Sequence, residues 1–68
     1  MQVKVFLERQ NEEKKVELDK EITVAELMQR LDVNRAEVIP VKNNELVTED
    51  STVKAGDEVK FLAVISGG

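Results

Sequence analysis

The sequence predicts an α+β domain, a mixed sheet of four to five strands with one helix packed across one face. Three observations carry that expectation. The chain opens on alternating apolar and polar residues, and it closes on its longest apolar run. Between them stands one segment with both a cap signature and helical spacing. A single helix crossing between an early hairpin and later strands gives two layers, and it lets the first and last strands lie side by side in parallel.

Met1 to Arg9 reads as the first strand. Val3, Val5 and Leu7 alternate with Gln2, Lys4 and Glu8, the period of a half-buried strand, and Phe6 falls on the polar face. Gln10-Asn11-Glu12-Glu13 is a polar turn, and Lys14 to Asp19 resumes the alternation with Val16 and Leu18, completing a hairpin. The helix begins at Thr23, an N-cap residue with Glu26 at the capping-box spacing and Ile22 and Leu27 at the staple positions. Val24, Leu27, Met28 and Leu31 then form one apolar stripe, with Met28 a core residue.

A short strand follows around Val38 to Lys42. Pro40 cannot donate a hydrogen bond, so this strand has at least one unpaired position, as at an edge or a strand end. Asn43-Asn44 suits a tight turn because asparagine tolerates positive φ, and Leu46-Val47 is a brief return strand. Thr48 to Lys54 reads as connection. Ala55-Gly56-Asp57 turns the chain into the last strand, Glu58 to Ile65. Residues 1–65 thus form the domain, and residues 66–68 are expected to be a flexible Gly-Gly tail.

Composition narrows the function. Sixty-eight residues hold one domain with a small core, and with 41% apolar but only 3% aromatic residues that core must be aliphatic. A net charge of −4 counts against direct nucleic-acid binding. The charges are interspersed as on a solvated surface, with Lys4, Lys42, Lys54 and Lys60 read as solubility charges. No stretch approaches the ~20 apolar residues of a membrane span, and the opening residues read as a strand, not a signal peptide. A cytoplasmic monomer away from membranes is the expectation.

The chain has no cysteine and no histidine. The usual neutral-pH general base, the thiol nucleophile and the common zinc ligands are therefore missing. Glu49-Asp50 and Asp57-Glu58 lack the spacing of a calcium loop and read as solvated turn residues, so no metal site is expected. A chain of this inventory enters chemistry as a substrate or a carrier, not as an enzyme. Two of its three glycines stand adjacent at Gly67 and Gly68, directly after an apolar run.

Taken together, these residues resemble a ubiquitin-like β-grasp protein of the ThiS/MoaD sulfur-carrier group, which includes the small archaeal modifiers and the ubiquitin-related modifier. The resemblance spans essentially the whole chain. It is carried by Met1-Gln2-Val3-Lys4-Val5, Val24-Ala25-Glu26-Leu27, Gly56-Asp57-Glu58-Val59 and, most specifically, Val64-Ile65-Ser66-Gly67-Gly68. The Asn43-Asn44 turn departs from relatives that often carry glycine there. The Pro-Pro often found before the tail of molybdopterin carriers is absent.

The resemblance implies that Gly68 supplies a carboxylate that an activating enzyme adenylates with ATP and that a persulfide then converts to a thiocarboxylate. Gly67 and Ser66 would be read with it in a narrow cleft, where residues without Cβ allow close backbone approach. No cofactor is expected on the chain itself. The implied partners are a ubiquitin-activating-type adenylyltransferase and sulfur donor and acceptor enzymes. The sulfur could enter a tRNA thiouridine, the thiamine thiazole or molybdopterin, with tRNA thiolation slightly preferred. A second reading is a protein modifier joined through Gly68 to lysines of target proteins, and a third is an interaction module without C-terminal chemistry. By strand parity, Phe6, Pro40, Leu62 and Val64 are expected to share the face away from the helix, as a modest partner-binding patch.

Overall fold

The computed structural model, which describes residues 1–64, starts with the strand expected from the opening alternation. β1 spans Gln2–Leu7 and continues into a 3-10 turn, Glu8–Gln10. Asn11, with φ of 49°, reverses the chain, and β2 runs Glu12–Glu17, two residues earlier than the apolar pattern indicates. Polar turn residues take part in the hairpin because backbone pairing extends to Leu7↔Glu12 whatever the side chains.

After β2 come β3 (Ile22–Thr23), the helix α1 (Val24–Arg30), a 3-10 turn (Arg35–Glu37), β4 (Val38–Lys42), β5 (Glu45–Leu46), β6 (Thr52–Val53) and β7 (Glu58–Ala63). The main sheet has the order β2-β1-β7-β4-β5, with β1 and β7 parallel and the remaining pairs antiparallel. β3 and β6 form a separate two-stranded sheet, β6 inside what the sequence presents as connection and β3 at the residues expected to staple and cap the helix. Two residues each are too few to show a period.

Thr23 caps α1, its Oγ accepting the Glu26 N–H at 3.1 Å. Glu26 does not reciprocate as a capping box would; its carboxylate takes Arg30 one turn on. The first two helical N–H groups are met by the 49–51 segment: Val24 donates to the Ser51 carbonyl at 2.8 Å and Ala25 to that of Glu49 at 3.1 Å. At the other end Asp32 sits at φ 57°, with its N–H on the Gln29 carbonyl and the Val33 N–H on that of Met28. That is a Schellman ending with aspartate where glycine is usual.

The helix lays Val24, Leu27 and Met28 on Val3, Val5, Leu7, Val59 and Phe61 of the sheet, with Leu18, Ile22 and Val53 closing the core. Leu27 and Phe61 are 0% and 1% exposed, and such burial stabilises by about 1.5–3 kcal/mol per side chain. The main sheet therefore has one face under the helix and one face open.

Asn43 and Asn44 both have positive φ, 51° and 70°, as a two-residue hairpin turn between β4 and β5 requires. Pro40 explains why β5 is so short. Its ring nitrogen falls on the β5 side, and the Val47 N–H still reaches the Pro40 carbonyl at 3.2 Å, but Pro40 can return no bond. Gly56 turns the chain into β7 at φ 86°, in open space where only the backbone conformation calls for glycine.

Candidate functional site

Three places on the molecule bear on the expected C-terminal chemistry: the open sheet face, the start of β7 and its end. The register fixes which residues share the open face. Phe6 pairs with Glu13 on one side and Lys60 on the other, and Leu62 pairs with Ile39. Val41, opposite Lys60 and Leu46, carries the face to the β5 edge.

Phe6 and Leu62 are half-buried beside a shallow groove bordered by Lys4, Glu8, Glu13, Glu58 and Lys60. Ile39, Leu46 and Val64 are exposed. Pro40 does not belong to this set. It is paired with Phe61, which points into the core, so Pro40 lies on the helix face and Ile39 takes the outer position assigned to it. Parity counted along one strand cannot decide this; it needs the register between strands, which shifts the assignment by one residue.

At the start of β7, Asp57 corrects the reading of a solvated turn residue. It is 6% exposed, and both carboxylate oxygens are engaged. One accepts the Lys54 N–H at 2.9 Å and the other the Asn43 side-chain amide at 3.1 Å. Asn43 in turn accepts the Glu58 N–H at 3.0 Å, so the two turns are locked together. Burial alone would raise the Asp57 pKa. The Lys54 N–H, the Asn43 amide and the nearby charges of Lys42 and Lys54 outweigh it and hold the carboxyl below its ordinary value. Lys42 is likewise more than a solubility charge, since its ammonium donates to the Thr52 carbonyl at 2.9 Å.

At the end of β7 the last two described N–H groups are held from opposite flanks. Ala63 donates to Glu8 Oε1 at 2.8 Å, and Val64 donates to the Glu37 carbonyl at 2.9 Å. Arg9 pairs with the Glu37 carboxylate and joins the two 3-10 turns. The expected site residues Ser66, Gly67 and Gly68, the end of the last strand at Ile65 and the tail itself lie outside the described residues. Glu8 carries no sign of this contact in the sequence, because the contact spans 55 residues of chain. Among the described residues no helix is long and apolar enough to cross a membrane.

The fold has known counterparts. The ThiS family model matches residues 3–68, a span that takes in Gly67 and Gly68. A subunit in the complex of subunits 1 and 2 of molybdopterin-converting factor from Helicobacter pylori superposes with a TM-score of 0.71 at 19% identity, over 100% of both chains. The crystal structure of the thiamine biosynthesis protein ThiS from Geobacter metallireducens gives 0.67 at 28% identity, covering 96% of this chain and 99% of that one. A solution structure of a thiamine biosynthesis protein from the same organism gives 0.62 at 30% identity, covering 96% and 87%. With its central parallel pair, five-stranded mixed sheet and single packed helix, the chain is a ubiquitin-like β-grasp protein and belongs to the ThiS family.

Proposed function

We propose that the protein is a sulfur carrier whose working group is the carboxylate of Gly68. The reading rests on the family match through residues 67 and 68. A free carboxylate is resonance-stabilised and resists nucleophiles. An adenylyltransferase of the ubiquitin-activating type converts it to an acyl-adenylate, releasing pyrophosphate from ATP. A persulfide of the donor enzyme attacks that carbonyl and expels AMP. A second thiol then cleaves the acyl disulfide, becoming oxidised to a disulfide and leaving a thiocarboxylate on Gly68.

The chain itself binds no cofactor in this scheme. Gly67 gives the slender approach into the cleft and Ser66 a polar step out of the apolar strand. The open face with Phe6, Leu62 and Val64, joined by Ile39 in place of Pro40, is the docking surface for the enzymes of the pathway. The protein works as a cytoplasmic monomer in this reading. The family match favours sulfur carriage over conjugation. Among the acceptor routes, the Geobacter relatives favour thiamine thiazole formation over the tRNA thiolation preferred from sequence alone.

ATP–pyrophosphate exchange with the cognate adenylyltransferase tests the proposal. Deleting Gly68, or adding one alanine after it, abolishes exchange while the thermal midpoint stays unchanged. The reacting carbon must come within about 3–3.5 Å of its partner. One residue of extended chain displaces it by roughly 3.3 Å, as far as the attack distance itself. Gly67→Val, which adds bulk without changing reach, is expected to be intermediate. Full exchange by the Gly68-deleted chain would rule the carrier function out.

A further inference from the structure

We propose that Glu8 is a positioning residue for the C-terminal reaction, its carboxylate standing in for missing β1 backbone and fixing where the chain leaves the sheet. The inference rests on the carrier reading of Gly68. Leu7↔Phe61 is the last parallel pair between β1 and β7. Beyond it β1 turns away, and the Asn11 N–H occupies the Glu8 carbonyl at 3.1 Å. The β4 side of β7 is served by the bond from the Val64 N–H to Glu37. Successive N–H groups of a strand point to opposite flanks, so the Ala63 N–H faces the side that β1 has vacated.

The Glu8 carboxylate reaches that N–H at 2.8 Å. A bond from a backbone N–H to an ionised acceptor belongs to the stronger class of hydrogen bonds. Glu37 is itself tethered through Arg9, so two consecutive residues at the base of the tail are gripped from both sides. The benefit is geometric. If β7 frayed back to Leu62, residues 63 and 64 would be released from the sheet, each adding roughly 3.3 Å of reach. The volume searched by the carboxyl carbon would grow accordingly, while productive attack tolerates about 3–3.5 Å. The apolar side chains of the sheet face, Phe6 and Leu62, would keep their places in β1 and β7.

The test compares wild type, Glu8→Ala and Glu8→Gln in amide hydrogen exchange by NMR and in ATP–pyrophosphate exchange. With Glu8→Ala, exchange of the Ala63 amide rises roughly five- to tenfold, as expected for one lost hydrogen bond, and kcat falls by a similar factor. KM and the thermal midpoint stay unchanged, and Glu8→Gln, which keeps an oxygen acceptor, recovers most of both losses. An unchanged kcat in Glu8→Ala overturns the positioning role, whatever the amide does. A rise confined to KM also overturns it, because it would mean that Glu8, which borders the groove of the sheet face, serves docking and not positioning. Full activity of the Gly68-deleted chain in the same assay would overturn the carrier reading instead, so the two failures are distinct.

Discussion

The two ends of β7 are fastened by the same chemistry in different surroundings. At its start Asp57 accepts the Lys54 N–H at 2.9 Å in a site only 6% exposed. At its end Glu8 accepts the Ala63 N–H at 2.8 Å on the open surface. Water can readily replace the exposed Glu8 acceptor but is largely shut out by the buried Asp57 carboxylate, so losing the first bond costs stability and losing the second costs mainly order. The start of the strand is built to hold the fold, and its end, on our proposal, to aim the C-terminal carboxylate.

Asp57→Ala is the largest break in that comparison. It removes the acceptor of two part-buried bonds, from the Lys54 N–H and the Asn43 amide, at a cost of about 2–3 kcal/mol. In a domain of this size that lowers the thermal midpoint by roughly 10 °C or more. Glu8→Ala is expected to stay within about 1 kcal/mol of wild type in the same urea and thermal melts. Equal losses in the two variants would erase the distinction.

Acid sharpens the contrast. The Asp57 pKa is lowered from its ordinary value of 3.8 in the folded state. The unfolded chain therefore takes up the proton first as pH falls. The stability supplied by Asp57 is complete above that ordinary value and is lost as pH drops through the lowered one. Urea melts from pH 6 to pH 2 should show this loss in wild type and its absence in Asp57→Asn. A wild-type and Asp57→Asn pair with parallel pH profiles would contradict the assignment.

The open face near Glu8 gives a smaller effect on folding. Phe6→Asp and Leu62→Asp are each expected to cost about 1 kcal/mol, because both side chains are only half-buried and an aspartate there remains hydrated. Their binding to the adenylyltransferase should fall more than tenfold by titration calorimetry. Unfolding by either variant would place these residues in the core. The smallest effect belongs to the helix ending: Asp32→Gly relieves φ of 57° and is expected to gain a few tenths to about 1 kcal/mol in thermal melts.

Much of this architecture was legible because it is local. Thr23 marked the helix start, Val38–Lys42 was bounded by its flanking polar residues, and Asn43-Asn44 announced positive φ. What escaped is what distant segments do to each other. Pro40 turned out to face the core because β4 registers against β7 with Pro40 opposite Phe61. Asp57 read as solvated because nothing in its neighbourhood reveals that Asn43, 14 residues away, closes over it. Thr52-Val53 became a strand only through Ile22-Thr23, and Glu8 acquired a role only through Ala63.

Whether Gly68 carries sulfur can be measured directly, because the chain has no cysteine. Protein isolated from its native cells is treated with a thiol alkylating reagent and weighed intact. The expected result is a fraction whose mass shows sulfur in place of one oxygen and which takes up a single alkyl group, located at Gly68 by fragmentation. A population that ends wholly in carboxylate and takes no label, or that is found only in isopeptide bonds to other proteins, would contradict it.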